Sequence, residues 1–249
     1  MTYSIVARDS ATGEIGIAVA SRFFACGSLV PNVAATAAVA SQAFVNPLWG
    51  VEGLSRLMAG QAANVVLADF VARDAGQSIR QAHMIDTNGR IAQHTGADCV
   101  PWAGHASAPD VSVAGNMLTG PAVVEDTLQA YLDAADQPFA MRLMTAMQVG
   151  EDAGGDKRGR QAAGLLIHEG QPYPALDLRV DDHADPLSEL RRLMAVADER
   201  LKFFSMGLAT TENFSGMTDR TPIDAAIAED EERRKRDGIV SQSHATPLV

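Results

Sequence analysis

The sequence runs to 249 residues, 47% of them apolar and 20% charged, which suffices for one large folded body or two small ones and excludes a disordered scaffold. A formal charge of −11, with only one basic cluster near the end of the chain, excludes the clustered Lys/Arg face that nucleic-acid phosphates demand. Two cysteines, Cys26 and Cys99, are too few for a disulfide framework and fit a reducing compartment.

The chain opens on a hairpin. Thr2 heads a strand whose residues 3–7 alternate imperfectly, SATG supplies the turn, and residues 14–20 are apolar enough for a buried partner strand. No charged-then-apolar secretory leader precedes this strand, and no apolar run reaches the roughly 18–20 residues of a membrane span. The expected location is therefore cytoplasmic, with no membrane partner. Residues 28–30 and 33–43 predict two further strands separated by Pro31-Asn32. Pro47 and Gly50 close a loop, after which residues 51–59 and 62–74 predict two helices broken at Gly60, with Leu54, Leu57 and Met58 on an apolar stripe. Residues 81–86 and 90–95 flank Thr87-Asn88-Gly89, a strong hairpin signal.

Residues 111–114 predict another strand. Pro121 opens a helix to about residue 136, and Pro138 restarts helix to about residue 149. Residues 161–168 and 175–180 predict a strand pair, and residues 185–204 a helix with Leu187, Leu190, Leu193 and Met194 on one face. Beyond Gly207 the apolar pattern decays, so residues 1–205 form the expected domain. Residues 206–249 form a poorly ordered polar tail with one helical segment near 224–236. Runs of strands segregated from runs of helices predict an α+β fold of antiparallel sheets covered by helices; pattern alone allows a two-layer arrangement.

Thr2 has a second reading. A small residue at position 2 generally permits removal of Met1, and a free Thr2 joins a hydroxyl nucleophile to an α-amino group that titrates near ~7.7–8.0 and can serve as its base. The run S-I-V-A-R-D-x-x-T-G-E-x-G-x-A-V-A-S-R after Thr2, followed in order by QAFVNP, PWAGH, GNML and GGDKRGRQ, resembles the family called domain of unknown function 1028 over residues 2–179. That resemblance implies membership of the N-terminal nucleophile (Ntn) hydrolases. It further implies a four-layer αββα sandwich of two antiparallel sheets and an acyl-enzyme on Thr2 formed from a small amide, non-peptide or peptide-like. A proteasome β-subunit start is a looser likeness; its pattern wants Asp two residues before Arg22, where this chain has Ala20.

Candidate site residues follow from chemistry and position. Arg22, ending the second strand beside Thr2, could bind a carboxylate or polarise a carbonyl, or be a solvated side chain. Asn116 after Gly115, together with Gln42 and Asn46 at the end of another strand, could donate to an oxyanion, worth about 3–4 kcal/mol for one good donor, or simply make turns. His105 could be a general acid or a substrate contact. Residues 154–161 combine three glycines with Asp156, Arg158 and Arg160, a loop whose charges hint at an anionic substrate group or form a solvated connector. The order of that loop is not a nucleotide-binding G-x-x-x-x-G-K-S/T, and the six histidines lack metal-ligand spacing, so no cofactor or metal is expected. Cys26 is a weaker nucleophile candidate with no paired base. The rival expectation is a non-catalytic binding or assembly protein that keeps the sandwich; a homo-oligomer stays open.

Overall fold

In the computed structural model, residues 2–245 are described; Met1, whose removal the Thr2 chemistry requires, lies outside them, as do residues 246–249 of the tail. The opening hairpin pairs β1 (Thr2–Arg8) with β2 (Glu14–Ser21), and Asp9 shapes its turn by accepting the Ala11 N–H at 2.8 Å. Both strands are buried along almost their whole length, so both faces are covered, which is why residues 3–7 alternate so poorly.

The next segment departs from expectation. Residues 28–30 are not a strand: they belong to or follow a single helical turn, α1 (Cys26–Leu29), entered through Ala25 in the left-handed region and closed by Val30 N–H to the Cys26 carbonyl. Three residues carry too little pattern to separate a turn of helix from a strand. Residues 33–43 are likewise two strands, β3 (Pro31–Ala34) and β4 (Ala37–Ala43), joined by Ala35-Thr36, a turn without the usual Gly, Asn or Asp. Pro47 starts a helix rather than a loop. In α2 (Pro47–Met58) it occupies the first turn, where its missing N–H costs nothing, while Asn46 caps the helix by accepting Leu48 N–H at 3.1 Å.

Then come α3 (Ala63–Arg73) and the expected Asn-Gly hairpin of β5 (Arg80–Ile85) and β6 (Ile91–Thr95). Strand β7 (Ala103–Ala108) has no strand signal in its sequence, since AGHASA lacks Val, Ile, Thr, Tyr, Phe and Trp; it pairs with β8 (Val111–Asn116). Helices α4 (Ala122–Asp133) and α5 (Phe139–Asp152) lead to β9 (Ala162–Glu169) and β10 (Leu176–Val180), then α6 (Pro186–Ser205) and α7 (Thr221–Arg236).

The strands form two antiparallel sheets, β10-β9-β2-β1-β8-β7 and β3-β4-β5-β6. Ser4 on β1 reaches Gln42 on β4 and His83 on β5, so these faces oppose one another. On the other side of β1, the Tyr3 hydroxyl donates to the Met147 carbonyl of α5 at 2.8 Å. Trp49, Leu57 and Phe70 from α2 and α3 pack with Ala37, Val39 and Met84 on the four-stranded sheet. The chain divides into two compact units, Met1–Leu187 and Ser188–Val249. Within the second, Arg234 pairs with Glu199 and Arg200 with Glu231, and the last turn of α7 is basic, which suits the negative end of the helix dipole. Among the described residues no helix is long and apolar enough to cross a membrane, and no group of three or more His, Cys, Asp or Glu is placed to hold a metal ion.

Candidate active site

The space between the sheets has two chemistries. Alternation places Val6, Ile15, Ile17 and Val19 opposite Val33, Ala38, Ala40 and Ile85 as an apolar half. Toward the Thr2 end the facing residues become polar. Thr2 lies opposite Asn116 across β1 and β8, is only 4% exposed, and donates its hydroxyl to Ser21 at 3.2 Å.

Asn116 Nδ2 donates to Gln81 Oε1 at 2.9 Å and to the Thr2 carbonyl at 3.4 Å. Gln81 Oε1 also accepts from Gln42 Nε2 at 2.9 Å, and the remaining Gln42 N–H goes to the Ala114 carbonyl. Gln81 Nε2 in turn reaches Thr95, Gly104 and Gly115. Three buried amides are thus mutually satisfied, the condition under which a buried polar cluster rigidifies a core rather than weakening it.

His83 continues the network. Ser4 donates its only proton to Gln42 Oε1 at 2.7 Å, so it must accept from His83 Nε2 at 2.8 Å; Nδ1 is then the acceptor for the Ser112 hydroxyl at 2.8 Å, whose own oxygen accepts from Gln93. Proton counting therefore assigns a neutral Nε2–H tautomer. Burial first, and His105 second, push the His83 pKa down to about 3, against an opposing hydrogen bond to the Ser112 backbone, in agreement with a neutral ring.

Beside this network lies a cavity of ≈ 240 Å³ lined by Thr2, Phe23, Cys26, Leu29, Val30, Gln42, Ala43, Phe44 and Val45. Burial pushes the Cys26 thiol up to about 12, so it remains protonated at neutral pH, the less nucleophilic form.

The family of unknown function DUF1028 matches residues 2–190, a span that includes the hairpin, the polar network and every wall of this cavity. The chain belongs to the DUF1028 family. A crystal structure of a Silicibacter pomeroyi protein of the same family is similar to it, with a TM-score of 0.80 and 29% sequence identity over 88% of this chain and 99% of that one. No curated protein is a significant match in sequence.

In this DUF1028 chain the sequence-derived candidates do not all meet in one place. Thr2, Asn116 and Gln42 converge. Arg22, Asp156 and Arg158 form a strap beside them: the Asp156 carboxylate accepts the Arg22 backbone N–H at 2.9 Å and the Arg158 guanidinium at 2.8 Å, and Arg22 Nη1 donates to the Arg158 carbonyl at 2.8 Å. Burial opposes ionisation of Asp156, but the Arg158 side chain and the Arg158 and Arg22 N–H groups outweigh it and hold the carboxyl below its ordinary value. A bridge from Asp156 to Leu118 ties the same loop to the segment after β8, so the strap links the two strands that flank Thr2. Arg160 instead pairs with Glu151 and Asp185.

Asn46 and His105 lie apart from the cavity. Asn46 caps α2 and donates to Asp74 at 2.9 Å, and His105 meets Thr95 at 2.8 Å on the half-buried edge strand β7, its pKa lowered by partial burial and by His94. Ser21, Ser4, Gln81 and His83 belong to the site network but were not singled out from sequence. Gln81 and His83 carry a signal as polar residues two apart on β5, whereas Ser4 and Ser21 sit in otherwise apolar runs. In a hairpin read in isolation that face belongs to solvent, whereas here it faces a second sheet.

Proposed function

We propose that this chain is an Ntn hydrolase that cleaves the C–N bond of a small amide through an acyl-enzyme on Thr2. The observation that carries the reading is a buried threonine at the head of a central strand, forming part of the wall of a cavity at the junction of two sheets. The order α2 and α3, four-stranded sheet, six-stranded sheet, α4 and α5 supports the four-layer αββα architecture in which such chemistry occurs.

With Met1 removed, the Thr2 amine takes the hydroxyl proton as Oγ1 attacks the substrate carbonyl. The same amine then protonates the leaving nitrogen as the C–N bond breaks and the amine product departs. Water, deprotonated by the α-amine, attacks the ester; the acid leaves and Oγ1 recovers its proton. Ser21, within hydrogen-bond reach of Oγ1, orients the hydroxyl. Asn116 holds the Thr2 carbonyl and so fixes the chain end.

One observation favours the rival reading of a binding protein without chemistry. Both Nδ2 hydrogens of Asn116 are committed, so it serves as an oxyanion donor only if its bonds to Gln81 and Thr2 rearrange. Intact-mass analysis of the purified protein, alone and after incubation with an activated ester, separates the two. Loss of Met1 and a single acyl adduct mapped to Thr2 support the hydrolase; retained Met1 removes its base and sinks the reading.

A further inference from the structure

We propose that the cavity beside Thr2 receives an uncharged, apolar acyl group of about the size of one aromatic ring or a six-carbon chain. The inference deepens the hydrolase reading and rests on it. Of the side chains around the cavity, Phe23, Cys26, Leu29, Val30, Ala43, Phe44 and Val45 are apolar or, for Cys26, a protonated thiol; none carries a charge.

The two polar wall residues offer little to an ion. Both Gln42 N–H groups are committed to Gln81 and Ala114, and its oxygen accepts from Ser4. Thr2 presents its hydroxyl and, once Met1 is removed, an α-amine that must stay neutral to act as the base, a role that a bound carboxylate beside it would oppose by favouring the protonated form. The guanidinium groups that hinted at an anionic substrate do not line the cavity, and they are engaged elsewhere: Arg22 with the Arg158 carbonyl, Arg158 with Asp156. A carboxylate placed here would lose its water without gaining a cationic side chain from the wall.

Size and surface agree with this chemistry. A dry cavity of about 150 Å³ holds benzene, so ≈ 240 Å³ accommodates one ring with a short spacer. Phe23 and Phe44 are 54% and 69% exposed, large apolar surfaces at the cavity that an apolar occupant would cover. The acyl side is the fitting one because the amine leaves on C–N cleavage, whereas the acyl group stays esterified to Thr2 and must rest against a wall that Thr2 itself helps to form.

The test holds the leaving group constant. The full-length protein is assayed with hexanoyl-, phenylacetyl-, acetyl- and glutaryl-p-nitroanilide. Expected kcat/KM for the first two is at least tenfold above both others, and Leu29→Arg or Phe44→Asp, at partly exposed wall positions, should reduce that preference at least tenfold. Level rates across the four substrates, or a preference for glutaryl, overturn the proposal. If no anilide is turned over, calorimetry with phenylacetamide and hexanamide decides. Saturable binding weakened at least tenfold by either wall variant leaves the apolar site standing while the hydrolase reading falls; absence of binding removes the site as well.

Discussion

At the scale of the residue, Thr2 and His83 make opposite demands on a proton. Thr2→Ala is expected to abolish amide turnover and Thr2→Ser to retain part of it, measured as kcat/KM with the phenylacetyl substrate. Because Thr2 is buried and bonded to Ser21, the alanine variant should also lose ~1 kcal/mol, roughly 2–4 °C in Tm for a chain of this size. In the parent protein kcat/KM should rise with pH through one ionisation with a midpoint at or below ~7.7–8.0, since burial disfavours the protonated amine. A flat profile would assign the base elsewhere. His83 remains neutral in the fold, with its pKa at about 3 against 6.5 in the unfolded chain. The unfolded state alone binds the proton between those values, so this contribution is complete above 6.5 and is lost as pH falls toward 3, at up to ~1.4 kcal/mol per unit. Glu14 and Glu151, whose pKa values are raised chiefly by burial, act in the opposite sense above 4.5, so a difference measurement is needed. Urea unfolding of parent and His83→Gln at pH 7 and pH 5 should show the parent's advantage shrinking by about 2 kcal/mol; a constant difference would mean that the fold leaves the His83 pKa where the unfolded chain has it.

At the scale of the element, α1 is held against the six-stranded sheet by a close backbone approach. It brings Cys26 and Leu29 to the cavity and rests on β9 where two glycines meet: a Cβ on Gly164 would lie 2.8 Å from the Gly27 Cα. Gly164→Ala must therefore lift α1 or displace β9. It should cost about 1–3 kcal/mol by overpacking and raise KM for the phenylacetyl substrate several-fold more than it lowers kcat, read from unfolding curves and initial rates. An unchanged KM at reduced stability would show that α1 does not shape the binding wall.

At the scale of the whole molecule, the site and its supports lie in the unit Met1–Leu187, while α7 lies in Ser188–Val249. Truncation after Gly207 removes α7 but retains all of α6. Cooperative thermal unfolding and anilide turnover should both persist in the truncated protein. Loss of either would give the region after Gly207 a role in folding or activity that its weak apolar pattern does not suggest.

Local chemistry by itself determined a good deal. The Asn-Gly turn of β5 and β6, the helix breaks at Gly60 and Pro138, and the Thr2 hairpin are set by φ/ψ preferences and short-range periodicity, which neighbours in sequence specify. The same locality misled at residues 28–30 and 47–50, where one helical turn and a proline-started helix depend on what they dock against and on how Asn46 caps. It was blind at β7, whose small residues form a strand because β8 supplies the partner. The division of the inter-sheet space was decided only by tertiary structure. Whether Gln81 and His83 meet water or another sheet depends on pairings far apart in sequence, as does whether Arg22 and Arg158 aim at a ligand or at the Asp156 strap. An apolar cavity beside Thr2 comes from three separated segments, residues 23–30, residues 42–45 and Thr2 itself, and no window along the chain contains all three.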